Sequence, residues 1–472
     1  MKFALTAATV VAAFISGAVA QTAGQWGQCG GNGYTGPTQC PSGWVCTPVS
    51  PPWYYQCLQG TSTTSSSSRS SSSSSRSSSS SSSSSRSTSS SSSTRSTSTS
   101  SSSTRSTSTS TATTSGSTVI PTATGNPFSG KTVWLSTYYA AEVDSAADQV
   151  SDATLKAKIL KVKEIPTFTW LDTIAKVATL DDYLPAASGK IFQLVVYDLP
   201  NRDCHANASN GELFFDQGGA AKYQGYIDGI AAAVKRNPST TVIAVIEPDS
   251  LANLVTNLSD PRCSAAADGY KSSTTYALKT LAAAGVYMYM DAGHAGWLGW
   301  PANISPAADL FVTMWTNGGK SPFIRGLATN VANYNALTAA SPDPATQGNA
   351  NYDETHYINA LAPMLRTKGW NAQFIVDQGR SGVQNIRSAW GNWCNIKGAG
   401  FGLRPTTNTG NQYIDAIVWI KPGGESDGTS NTSATRYDTM CGGPDAKIPA
   451  PEAGQWFQAY FVDLVNNANP AF

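Results

Sequence analysis

Between residues 61 and 117 the chain is almost pure Ser and Thr, interrupted at intervals by Arg69, Arg76, Arg86, Arg95 and Arg105. Such a stretch lacks the apolar side chains needed to offset the entropy of ordering, so it cannot build a core. It reads as an extended tether whose hydroxyls suit O-glycosylation. Folding is therefore confined to the two pieces on either side: a small one at residues 21–60 and a large one at residues 118–472.

Residues 1–20 precede both pieces and have the layout of a secretory signal. Lys2 supplies the positive start, residues 4–15 the apolar run, and Ala18-Val19-Ala20 the small-residue cleavage site. The run is too short to span a bilayer and no longer one follows, so a secreted, extracellular protein with no membrane partner is expected. In that compartment the eight cysteines should be paired. They fall into two groups of four: Cys29, Cys40, Cys46 and Cys57, then Cys204, Cys263, Cys394 and Cys441. No C-x-x-C pair exists and the only histidines are His205, His294 and His356, so neither a metal site nor a cofactor is expected.

The formal charge of +1 conceals an asymmetry. Without Lys2 and the five tether arginines, 25 basic residues face 30 acidic ones, a balance of −5 carried wholly by the large piece. An acidic domain suits a neutral substrate better than nucleic acid.

Residues 21–60 contain no Asp, Glu, Lys, Arg or His and are dense in cysteine. A piece this small needs covalent staples. Its segment WGQCGGNGYTGPTQCPSGWVCTPVSPPWYYQCL, at 26–58, closely resembles the fungal-type family 1 carbohydrate-binding module. The resemblance implies a small stapled β-sheet, disulfides Cys29–Cys46 and Cys40–Cys57, and a flat sugar-binding strip of Trp26, Trp53 and Tyr54. Sugar rings present C–H faces that pack on aromatic planes, and an uncharged strip suits an uncharged crystal such as cellulose.

In residues 118–472, short β-rich apolar runs recur at 132–136, 191–199, 241–249, 286–291, 323–329, 373–377 and 415–421. Helical stretches separate them. Tyr223, Ile227, Ile230, Ala231 and Val234 follow one such spacing, which should stop at Asn237 before Pro238. Strands alternating with helices predict a parallel α/β sheet or barrel of seven strands. Several runs end in acidic residues, as at Asp198, Glu247, Asp249, Asp291 and Asp377. Chemistry in α/β barrels gathers at such ends, and glycosidic cleavage needs one protonated carboxyl and an activated water. Spacing alone does not choose between Glu247 and Asp249.

The motifs VVYDLPNRDCHANASNGE (195–212), VIEPDSLANLVTNL (245–258), MDAGHAGWLGWPAN (290–303), LATNVANYN (327–335), DQGRSG (377–382), GNWCN (391–395) and VWIKPGGESDGTS (418–430) resemble glycoside hydrolase family 6 throughout 125–472. That resemblance implies a distorted, seven-stranded, TIM-like parallel α/β barrel and inverting hydrolysis of β-1,4-glucan. Carried over by position, Asp249 corresponds to the general acid and Asp203 to the carboxylate that keeps it protonated. Tyr197 corresponds to the ring beneath the scissile sugar, Ser209 to a water-positioning residue, and Asp427 to the carboxylate proposed as base. Trp170, Trp297, Trp300 and Trp393 correspond to sugar platforms, and His294, Asn330, Lys421 and Glu425 to further substrate contacts. The family pattern also pairs Cys204–Cys263 and Cys394–Cys441, each stapling a loop over the cleft. The intact stretch 421–451 favours a tunnel that threads non-reducing ends and releases cellobiose. The expected partners are cellulose and cello-oligosaccharides, bound by a monomer. An open-cleft endoglucanase, a non-catalytic binding protein and an enzyme for another β-glucan are the alternatives. Asn207, Asn257, Asn303 and Asn431 each begin an N-x-S/T sequon, and Asn207 is expected to be bare because it lies near the site.

Overall fold

The computed structural model describes residues 22–23, 28–30, 36–50, 54–59, 123 and 125–472. The signal segment, the tether, Trp26 and Trp53 lie outside the described residues, as does the side chain of Tyr54.

In the small module, β1 (Gln28–Gly30), β2 (Trp44–Ser50) and β3 (Tyr54–Gln59) form an antiparallel sheet in the order β1-β3-β2. Disulfides Cys29–Cys46 and Cys40–Cys57 cross it, each closing a sequence separation of 17. Loops of that size give about 3 kcal/mol each in the chain-entropy model, which helps a sheet whose buried apolar residues are Ala23, Cys29 and Cys57.

The large domain is built on seven parallel strands: β4 (Thr169–Leu171), β5 (Ile191–Val196), β6 (Thr241–Ile246), β7 (Tyr287–Asp291), β8 (Ile324–Thr329), β9 (Gln373–Asp377) and β10 (Ile414–Val418). They pair strictly in chain order, β4 to β10. Buried along almost their whole length, β5, β6 and β7 read as mainly apolar runs, interrupted in β5 by Gln193, rather than as alternating ones. Among the described residues, ten α-helices carry the crossovers and ends: α1 (Thr137–Asp148), α2 (Ala153–Val162), α3 (Leu180–Ala186), α4 (Gly219–Arg236), α5 (Ser250–Thr256), α6 (Pro261–Ala282), α7 (Ala295–Leu298), α8 (Pro301–Asn317), α9 (Glu354–Thr367) and α10 (Gln458–Asn466). Helix α4 ends where its spacing predicted, with Asn237 as C-cap and Lys235 and Arg236 in its last turn. Among the described residues, no helix is long and apolar enough to cross a membrane.

The count of seven strands stands, but one of the seven is not the one expected. Residues 132–136 make only a single bridge, Val133 to Ile191, and β4 supplies the first strand instead. The reason is length. Three residues of β4 cover only the upper half of β5, from Leu194 to Val196, and the 132–134 segment pairs its lower end through Trp134 N–H and Thr132 C=O. Two partial neighbours thus share one edge.

Among the described residues β4 and β10 do not pair, so the barrel is open between them. A side chain spans the opening: Trp170 Nε1 donates to the carbonyl of Ile420 at 2.9 Å. Elsewhere the strands are closely apposed. A Cβ at Gly326 would stand 1.7 Å from the Gln373 carbonyl oxygen of β9. Gly326→Ala should therefore cost about 3 kcal/mol or more through forced strand separation, seen as a lower denaturation midpoint; an unchanged midpoint would refute that packing.

Candidate active site

The C-terminal ends of the strands open into a cavity of about 460 Å³. Trp170 of β4, Tyr197 after β5, Asp249 after β6 and Lys421 after β10 all face it, joined by Asp203, Ser209, His294, Trp297, Trp393, Glu425 and Asp427. Eleven sequence-expected residues are thus brought together. Two are not. Asn330 is 0% exposed, and its amide is consumed inside the fold: Nδ2 donates to Asn335 O, Asp377 O and Ser381 Oγ while Oδ1 accepts from Asn335 N–H. It ties β8 to β9 and to the loops after both strands. Trp300 does not line the cavity either; its ring stands edge-on to Trp390, with centroids 5.9 Å apart.

The structure separates Glu247 from Asp249. Glu247 is 1% exposed and accepts from Tyr223 OH at 2.7 Å and from the N–H groups of Asp198 and Leu199, fastening the end of β5 to β6. Asp249, two residues on, has φ +63° and turns its carboxyl into the cavity. Its N–H donates to Asp291 Oδ2 at 3.1 Å, which helps hold that left-handed conformation. Asp203 is also left-handed, at φ +55°. Conformations of this kind cost a non-glycine residue of order 1 kcal/mol and survive only where surrounding bonds impose them.

Electrostatics divides the carboxyls by role. Asp249 has no hydrogen bond to its carboxyl among the described residues. Burial, then the charges of Asp291, Asp203 and Asp427, push it well above the usual carboxylate range. Asp203 accepts from Tyr197 OH at 2.6 Å and is raised to about 6 by burial, against the lowering effects of that bond and of Arg202. Arg202 has no ion pair with Asp203. It pairs instead with Asp198 at 3.5 Å and donates to the carbonyls of Asp172, Ser209 and Tyr197, with its guanidinium 4.3 Å from the Tyr197 ring centroid. Asp427 is engaged on both oxygens: Arg380 donates at 2.9 and 2.7 Å, Tyr334 OH at 3.0 Å and Asn395 N–H at 2.8 Å. His294 caps α7 through Nδ1, which accepts from Gly296 N–H, and burial with nearby Arg387 lowers it to about 3, so it stays neutral.

The aromatic walls are also fixed. Trp170 meets Tyr197 edge-on at 5.1 Å, and Trp297 Nε1 donates to Thr256 Oγ1 at 2.7 Å. Two disulfide-anchored loops complete the enclosure. Cys204–Cys263 joins the loop after β5 to α6, and Cys394–Cys441 secures the second loop. They touch where Asn207 N–H donates to Asp438 Oδ2 at 2.9 Å and where Ala208 packs on Cys394, Cys441 and Trp393. Ala206 and Ser209 on one loop, and Arg436 and Met440 on the other, line the cavity beside this seam. Gly428 is required there, because a Cβ would fall 2.6 Å from Cys441 Sγ.

Sequence reasoning did not single out Asp291, Arg380 or Asp438 as site residues. The first two sit inside motifs already quoted, at a strand end and in DQGRSG, and strand-end polarity was the available signal. Nothing local marks Asp438, whose partner is distant in sequence.

Aromatic walls around a carboxyl raised well above the usual carboxylate range, with two disulfide-anchored loops beside it, fit a hydrolase that cleaves carbohydrate chains. Residues 128–468 match the family model "Glycosyl hydrolases family 6", and the chain belongs to that family. Residues 25–57 match the fungal cellulose binding domain. Exoglucanase 3 of Agaricus bisporus is 54% identical over 99% of this chain and 100% of its own length. Exoglucanase-6A of Humicola insolens is 51% identical, with 100% of both chains covered. Among solved structures, cellobiohydrolase II (Cel6A) from Humicola insolens in complex with glucose and cellotetraose is similar at TM-score 0.73 and 54% identity. It covers 74% of this chain and 100% of that one. The catalytic core domain of Cel6A from Chaetomium thermophilum matches at TM-score 0.72 and 55% identity, covering 73% and 99%.

The buried carboxyls carry a consequence for stability. Burial raises Glu247, Asp291 and Glu354 to about 7 each, whereas unfolding returns them to the ordinary values of 4.5 for Glu and 3.8 for Asp. Between those limits the folded state holds more protons than the unfolded one, so their contribution is fully present at low pH and is lost as pH rises through about 7. The melting temperature should fall from about pH 5 to about pH 8; a flat or rising profile in scanning calorimetry would contradict these assignments.

Proposed function

We propose that the chain is a secreted, exo-acting cellulase that hydrolyses β-1,4-glucosidic bonds with inversion and releases cellobiose from non-reducing chain ends. The observation that carries this reading is Asp249: an unpaired carboxyl, raised well above the usual carboxylate range by burial and by neighbouring acids, facing a cavity lined by Trp170, Trp297 and Trp393. The roofed cavity favours threading of a chain end over attack within a chain. The relatives' names, exoglucanase and cellobiohydrolase, support the same choice.

In the proposed reaction Trp170, Trp297 and Trp393 hold sugar rings by stacking, with Lys421 and Glu425 contacting hydroxyls. Tyr197 sits under the scissile sugar. Asp249 gives its proton to the leaving glycosidic oxygen as the bond from the anomeric carbon breaks. Water attacks that carbon from the opposite face, and the proton it sheds passes through cavity water. Asp203 provides negative charge near the developing oxocarbenium ion and acts, through Coulomb repulsion, to keep Asp249 protonated. Asp427 serves as a charge-holding and positioning group rather than as the base, because Arg380, Tyr334 and Asn395 already occupy its oxygens. Ser209, on the loop that carries Asp203, positions the water.

Residues 1–20 act as the export signal and residues 61–117 as the tether. The 21–60 module uses Trp26, Trp53 and Tyr54 to keep the 118–472 domain on the cellulose surface.

Brief digestion of cellohexaose followed by proton NMR tests the stereochemistry: fresh cellobiose should appear as the α-anomer, and a β-anomer would overturn inversion. Asp249→Asn should lower kcat by roughly 10²–10⁴-fold while binding to cellulose is retained. Asp203→Asn removes a negative neighbour, so the alkaline limb of kcat/KM should move to lower pH. An unmoved limb would show that Asp203 does not hold the acid's proton.

A further inference from the structure

The four N-x-S/T sequons differ sharply in what the fold allows at the amide nitrogen. Asn257 lines the cavity and its Nδ2 donates to Asn253 Oδ1 at 2.6 Å, so sugar there would occupy the substrate's space. Asn303, half-buried on α8, spends its Nδ2 on the Trp297 carbonyl at 2.8 Å, and Ile304 beside it is core. Asn207 is exposed, but its Oδ1 accepts from Arg262, its N–H is bound to Asp438, and Ala208 is fully buried in the seam of the roof. The motif there cannot bend outward without parting the two loops.

Asn431-Thr432-Ser433 is different: all three residues are exposed. Asn431 Oδ1 accepts from Ser433 N–H at 3.1 Å, an Asx turn that points the oxygen back at its own backbone. That fixes the opposite edge of the amide, Nδ2, toward solvent, and among the described residues it donates to nothing. The turn itself is anchored, since Ser430 and Thr429 bond to Ala450 across the base of the roof loop.

We propose that Asn431 is the N-glycosylation site of this chain, placing a hydrophilic oligosaccharide on the outer face of the roof. The proposal rests on export, as argued under Proposed function. In the modification, Nδ2 bonds to the anomeric carbon of an oligosaccharide carried on a lipid diphosphate. The diphosphate leaves with the bonding electron pair, and the amide loses one proton to solvent.

The full chain is produced in a secretory fungal host and recovered separately from medium and cells. Amidase deglycosylation in heavy-oxygen water then marks every sugar-bearing Asn as labelled Asp, read by peptide mass mapping of either fraction. Label at Asn431, with Asn207, Asn257 and Asn303 unlabelled, is the expected result. An unlabelled Asn431, or label on most copies of any of the other three, overturns the proposal. Retention of the chain in cells would instead overturn export. The Asn431→Gln variant should migrate faster on a gel with unchanged hydrolysis of cellohexaose, and unaltered mobility would count against a glycan at this position.

Discussion

Carboxyl groups brought close together and out of water cannot all ionise, and the rest of the catalytic domain is arranged around that fact. Asp203, Asp249 and Asp291 lie within each other's fields at the ends of β5, β6 and β7, and burial raises all three. Their hydrogen bonds sort them. Tyr197 serves Asp203, backbone N–H groups serve Asp291, and Asp249 is left as the member whose proton is both retained and exposed to the cavity. Asp427, by contrast, has the full guanidinium of Arg380 and stands apart as the compensated charge. One residue type is thus given different surroundings, and on the proposed reading different roles, by the fold alone.

That sorting depends on the barrel. Parallel strands in simple chain order bring every C-terminal end to one side, where Asp198, Glu247, Asp291 and Asp377 stand at the ends of β5, β6, β7 and β9. The open edge between β4 and β10 leaves room beside the cavity, and Trp170 crosses it by hydrogen bonding to Ile420. In the proposed reaction the same side chain that bridges the barrel opening is also a platform for a sugar ring. The two disulfide-anchored loops beside the cavity meet in the seam between Asn207 and Asp438, with the Cys394–Cys441 disulfide against Gly428.

Two opposed demands meet in this chain. The large domain needs a dry, exact pocket, whereas insoluble substrate demands contact over an open surface. The chain answers them with two different folded pieces, since residues 25–57 match the fungal cellulose binding domain and residues 128–468 the hydrolase family.

Much of this was legible from residues alone. Apolar runs, four of them ending in acids, announced six of the seven barrel strands, and the resemblance of residues 26–58 to a known module announced the small sheet and its two disulfides. The motifs around Asp203, Asp249 and Asp427 pointed to the site because their local words are specific. Three matters were beyond any local signal. The edge strand β4 is too short to show a pattern, so residues 132–136, more apolar and β-rich, looked like the strand. Asn330 and Trp300 share motif words with true cavity residues, but their side chains turn into internal bonds that only packing reveals. Glu247 and Asp249 share one acidic motif and both have left-handed backbones; Tyr223 and the N–H groups of Asp198 and Leu199 hold the Glu247 carboxyl in the wall, whereas the Asp249 carboxyl is left to the cavity. Sequence determines which groups are present and in what order along the strands. Which of them keeps its proton is decided by distances and burial between residues far apart in the chain, and these exist only once the barrel has formed.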